Sequence, residues 1–104
     1  MTTITEPYDA SDPGHVQERR KRQALLDRRA DAAFAELMAS ADGRLWVWRM
    51  LGACGVFHSS WEPHSGRMSF NEGRRDIGLQ LLTDITRVCP DLFGQMQREN
   101  TNHD

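Results

Sequence analysis

Nowhere in its 104 residues does the chain carry an apolar run long enough to span a bilayer, so no membrane association is expected. Cysteine is nearly absent. Cys54 and Cys89 are the only two, and without a secretory leader they are expected to be free thiols in a reducing cytoplasm. Lysine is nearly absent too, since Lys21 stands beside twelve arginines; coding composition produces that bias as readily as selection for bidentate contacts. Paired carboxylates in a pocket pattern, a phosphate-cradling glycine loop and a serine-nucleophile elbow are all missing, and no enzyme or cofactor is expected. A formal net charge of −2 argues against wholesale coating of nucleic acid and confines any basic site to a local patch. One domain of this length buries only a thin core, so association with a partner, or with itself as a homo-oligomer, should add to its stability.

What is present reads as an all-α fold: a small domain of three to four helices, with a long loop between helices two and three and a flexible N-terminal tail. The tail is residues 1–14, with two prolines and almost no bulky apolar side chain; the helical domain is 15–99, and 100–104 is a frayed end. From His15 the composition turns helical, and Leu26, Ala30, Ala33, Phe34 and Leu37 form one apolar stripe ending near Ser40. Ser40 or Asp42 can cap a second helix over 43–53, whose Leu45, Trp46, Val47, Trp48, Met50 and Leu51 wrap most of its circumference. That pattern fits a central or an interface helix. Gly55 ends it, and the loop over 56–67 is expected to be pinned to the core by Phe57 and Trp61. "SFNE" then reads as a capping box in which Ser69 and Glu72 bond each other's amides. Pro90 opens a last short helix carrying Leu92, Phe93 and Met96.

Advancing 100° per residue from Phe70 places Ile77, Leu81, Ile85 and Val88 on one face of helix three, with Arg74 and Gly78 among them. A glycine there lets another backbone approach. Gly73 lies off the stripe and lacks that reason. Arg74 on a core-facing stripe needs acceptors: a carboxylate such as Asp31, Glu36 or Asp84, helix-closing carbonyls, a partner chain, or phosphate. Otherwise its stem covers apolar surface while its head stays wet. Arg75 is placed on the surface as a candidate interface residue. Cys54, His58, His64 and Cys89 could chemically hold zinc, but the two cysteines stand far apart in sequence instead of in a close pair, so no metal is expected. "ERRKRQALLDRR" is the one basic stretch; Glu18 and Asp27 interrupt it, which favours a solvated helix face over a nucleic-acid surface.

The string from Phe34 to Glu99 resembles a family of small tailed-bacteriophage proteins, the Bbp-nineteen-like phage domain. It does so through a helix running into "CGVF", then "HSSW", "FNEGRRDIGLQLL" and a closing "CPDLFGQM". The resemblance implies a podophage protein of the head and packaging cluster, located in the virion or the host cytoplasm. A non-enzymatic structural role is then expected, by docking on portal, tail or capsid proteins through Trp46, Trp48, Trp61, Arg74 and Arg75. The alternative is a nucleic-acid-binding accessory acting, weakly, through Arg19, Arg20, Lys21, Arg22, Arg28 and Arg29.

Overall fold

A computed structural model describes residues 12–101. Four helices run in order, α1 Pro13–Met38, α2 Ala41–Ala53, α3 Ser65–Val88 and α4 Asp91–Thr101, and no strand occurs among the described residues. The fold is all-α. By compactness the chain divides within α1 into two units, 1–32 and 33–104.

In the first unit, α1 starts earlier than its composition implies. The Asp12 carboxylate accepts from the amides of Gly14 and His15 at 2.8 and 3.2 Å, and Pro13 takes the first helical position, where its missing N–H is no loss. Pro13 and Gly14 therefore belong to the helix and not to a tail; residues 1–11 lie outside the described residues. Beyond this cap Gln23 donates to Asp27 one turn on, and Leu25 and Leu26 are exposed.

In the second unit the core is Met38, Val47, Leu51, Cys54, Val56, Ile85 and Met96, with Phe34, Trp48, Leu82, Leu92 and Phe93 partly buried against it. α2 packs against both α3 and α4. α1 reaches this core through Phe34 and Met38 alone, whereas Ala33 and Leu37 of the expected stripe stay exposed. The corner between α1 and α2 is tight. Ser40 caps α2 by accepting from the amide of Gly43 at 3.0 Å, and a Cβ at Gly43 would collide with the carbonyl oxygen of Leu37. Only glycine fits there.

α2 ends in a Schellman turn. Gly55 adopts φ +73°, its amide donates to the carbonyl of Gly52, and the amide of Val56 donates to the carbonyl of Leu51 at 3.2 Å. This reversal turns Val56 into the core beside Cys54, and the two meet α3 at Gly78. A Cβ on Gly78 would overlap Val56 Cγ2 and lie 2.6 Å from Cys54 Cβ, so the glycine does serve a close approach.

The capping box at "SFNE" is not formed. α3 begins at Ser65, with His64 as its N-cap and no side-chain capping bond, so Ser69 and Glu72 sit inside the helix. The reason is local: Pro63 is the nearest strong helix breaker, and Gly66, a weaker one, does not stop the helix from propagating upstream of Ser69. The connection is correspondingly shorter, residues 54–64. Phe57 pins it by stacking on Trp48 with ring centroids 4.9 Å apart, but Trp61 is 72% exposed and pins nothing. At the other end, α4 extends through Asn100 and Thr101, whose side chains bond the carbonyls of Met96 and Gln97, so the helix runs two residues beyond the expected domain end at 99.

Candidate functional site

A buried ion pair in the second unit joins residues that stand far apart in the sequence. Arg44 on α2 meets Glu99 on α4 in a two-pronged pair, with Nε to Oε1 and Nη2 to Oε2 both at 2.8 Å, while Nη1 donates to the carbonyl of Met38 at 2.9 Å. One guanidinium thus ties the end of α1, the start of α2 and the end of α4. Its side chain is only 7% accessible, against 31% for Glu99. The hydrogen bond to Glu99 raises the Arg44 pKa, and the same bond holds the Glu99 carboxyl below the usual carboxylate range, in both cases against desolvation.

This clamp fixes which side of α2 turns inward. Gly43, Arg44, Val47 and Leu51 are buried along one face, and Leu45, Trp46, Arg49, Met50 and Ala53 are exposed along the other. Trp46, Arg49, Met50 and Ala53, at i, i+3, i+4 and i+7, line a shallow groove of about 370 Å³. Trp46 is 55% exposed, and Arg49 has no hydrogen bond or ion pair among the described residues. An apolar stripe centred on an unpaired guanidinium has the composition of an interface hot spot. Arg49, Met50 and Ala53 are additions to the expected docking residues; their sequence signal was the helical spacing from Trp46.

The other expected docking residues scatter. Trp48 is half-buried in the Phe57 stack and belongs to the core edge. Trp61 is exposed on the connecting segment. The two arginines exchange roles. α3 packs through Asn71, Arg75, Gly78, Leu82 and Ile85, because Gly78 is where the α2 turn lands and its i−3 and i+4 neighbours follow it inward. Phe70 and Ile77 are consequently 67% and 64% exposed instead of packed.

Arg74 is exposed and ties to no carboxylate among the described residues. Its guanidinium sits 5.6 Å from the centroid of the Phe70 ring and donates to Asn71 Oδ1 at 3.3 Å, the wet-headed arrangement among those open to it. Asp84 pairs with Arg87 instead. Arg75 is half-buried: its Nε is buried without a hydrogen-bond partner among the described residues, and it lines a cleft with Ser60, Glu72 and Asp76.

Cys54 is buried at the Gly78 contact, and His58 and His64 are both exposed. Burial pushes the Cys89 thiol up in pKa, which disfavours the reactive thiolate. Among the described residues no three His, Cys, Asp or Glu side chains are grouped to hold a metal, and no helix is long and apolar enough to cross a membrane.

Compared with known proteins, residues 34–98 match the Bbp19-like phage protein family. The chain belongs to this family. Neither the curated proteins nor the solved structures show a significant match. In this Bbp19-like phage protein the family match begins at Phe34 and takes in α2, α3 and most of α4, nearly the whole of the second unit. The groove-lining face of α2 lies inside the match. Arg19, Arg20, Lys21, Arg22, Arg28 and Arg29 lie outside it, all exposed on α1. At 100° per residue those six side chains point around the whole circumference of the helix and do not gather on one side to follow a phosphate backbone.

Proposed function

We propose that this Bbp19-like phage protein is a non-enzymatic virion or head-assembly component of a podophage, docking on a larger oligomer of portal, tail-vertex or capsid protein. The observation that carries the reading is the α2 face of Trp46, Arg49, Met50 and Ala53, a helix surface with an exposed tryptophan and an unpaired arginine at its centre. Such a face suits an amphipathic partner helix carrying a carboxylate opposite Arg49. Trp61 and Arg74 are further accessible contacts, whereas Trp48, stacked on Phe57, and Arg75 are half-buried.

Peptide mass spectrometry of purified virions tests the role, paired with a phage carrying Trp46→Glu. The protein is expected in wild-type particles at a few tens of copies, and the Trp46→Glu protein is expected to fold with unchanged helicity but to be lost from them. Wild-type particles lacking the protein, with particle yield unaffected when its gene is removed, would refute the proposal.

A further inference from the structure

Leu26, Ala30, Ala33 and Leu37 recur along α1 at intervals of four, three and four residues, and all four are exposed. That spacing is the seam of a coiled coil, and here the seam has no partner among the described residues. Continued toward the N-terminus it meets Gln23 and Arg19, so the apolar part is short and asymmetrically placed on the helix.

Its charges select a direction. Parallel pairing with a second copy would set Arg19 against Arg19 across the seam. Antiparallel pairing sets Leu26 of one copy against Leu37 of the other and Ala30 against Ala33, and the two alanine layers let the backbones approach closely. In that register Arg29, which flanks Ala30, faces Glu36 of the second copy, which flanks Leu37, and two-fold symmetry makes the pair twice. Arg29 and Glu36 are both exposed, and neither has an ion pair or side-chain hydrogen bond among the described residues. Apolar layers and charge complementarity thus point to the same register.

We propose that the chain self-associates through α1, pairing antiparallel with α1 of a second copy along Leu26, Ala30, Ala33 and Leu37 and bridging Arg29 to Glu36 in both directions. The overlap runs from Leu25 to Met38, about 21 Å of helix. Two short heptads make a weak, concentration-dependent dimer. The inference is independent of the α2 face and survives whether or not that face docks on a virion protein.

Sedimentation equilibrium on the full chain, from roughly 10 μM to 1 mM, reads the association directly. The wild-type chain is expected to shift from monomer to dimer across this range. Arg29→Glu and Glu36→Arg each oppose like charges twice and are expected to raise the dimer Kd by about tenfold or more, while the double exchange restores it to within about threefold. Leu26→Asp is expected to abolish the dimer. Circular dichroism checks that every variant stays helical, and should a single variant unfold, the double exchange decides alone. A wild-type chain that is monomeric throughout, a dimer indifferent to Leu26→Asp, or a folded double exchange that fails to dimerise would each overturn the proposal.

Discussion

Gly73 and Gly78 lie five residues apart in α3, and the same substitution at the two should act with opposite sign. Alanine is better than glycine by about 1 kcal/mol in a helix interior, so Gly73→Ala, whose new Cβ has nothing within 4 Å, should stabilise by about that much. Nothing in the structure explains why glycine stands there. At Gly78 the same gain is opposed by the overlap with Val56 Cγ2 and the 2.6 Å approach to Cys54 Cβ. Overpacking of this kind costs about 1 to 3 kcal/mol, and neither neighbour is the free end of a flexible side chain that could swing away. For a domain of this size each kcal/mol moves Tm by about 4 to 8 °C. Thermal unfolding followed by circular dichroism should therefore show Gly73→Ala melting about 4 to 8 °C above wild type and Gly78→Ala melting at or below it. Val56→Ala removes one of the two clashing atoms, so Gly78→Ala combined with Val56→Ala should be less destabilised than the sum of the single changes. A Gly78→Ala variant stabilised as much as Gly73→Ala would refute the packing described for α2 and α3.

The two helix starts can be told apart by urea denaturation. Ser40→Ala should lose about 1 kcal/mol with the α2 cap, while Ser69→Ala, inside α3, should stay within about 0.5 kcal/mol of wild type. At the Arg44–Glu99 clamp, Glu99→Ala should destabilise more than Arg44→Met, because the guanidinium orphaned by the first is buried and permanently charged whereas the carboxylate orphaned by the second is partly accessible. Since the native Glu99 pKa is lowered, its contribution is present above the unfolded value of about 4.3 and is lost as pH falls through the folded value; Glu99→Gln should flatten that acid limb of the stability profile.

Local signals served the sequence reading well and long-range ones did not. The helix count, the Ser40 cap and the glycine turn after Ala53 all depend on residues near in sequence, where propensity and capping chemistry act; the close approach at Gly78 is long-range and showed in the sequence only as a glycine on an apolar stripe. "SFNE" misleads because the motif describes what could cap a helix if one began there, and a breaker further upstream decides where it begins. Arg74 and Arg75 differ from expectation because a helical wheel fixes relative angles but not which side of an apolar stripe meets a neighbour; Phe70 and Ile77 are as apolar as Leu79 and Leu82, yet the packed face is centred toward the latter pair. Glu99 stands 55 positions from Arg44 and looks like an ordinary surface carboxylate. Arg44, however, shares the stripe of Val47 and Leu51 by spacing alone, and a lone arginine on that stripe is the trace the clamp leaves in the sequence.

The residues that hold the fold and the face proposed for docking lie on opposite sides of α2. Gly43, Arg44, Val47 and Leu51 hold the inward face by a notch, a clamp and two buried side chains, and the ends of the helix are fixed independently by the Ser40 cap and the Gly55 turn. With rotation about the helix axis so determined, the outward residues Trp46, Arg49, Met50 and Ala53 carry almost none of the fold. Here the division is by face, so exchanging the outward four for polar residues should leave the core intact, and whatever such a variant loses belongs to the surface of α2 and not to its stability.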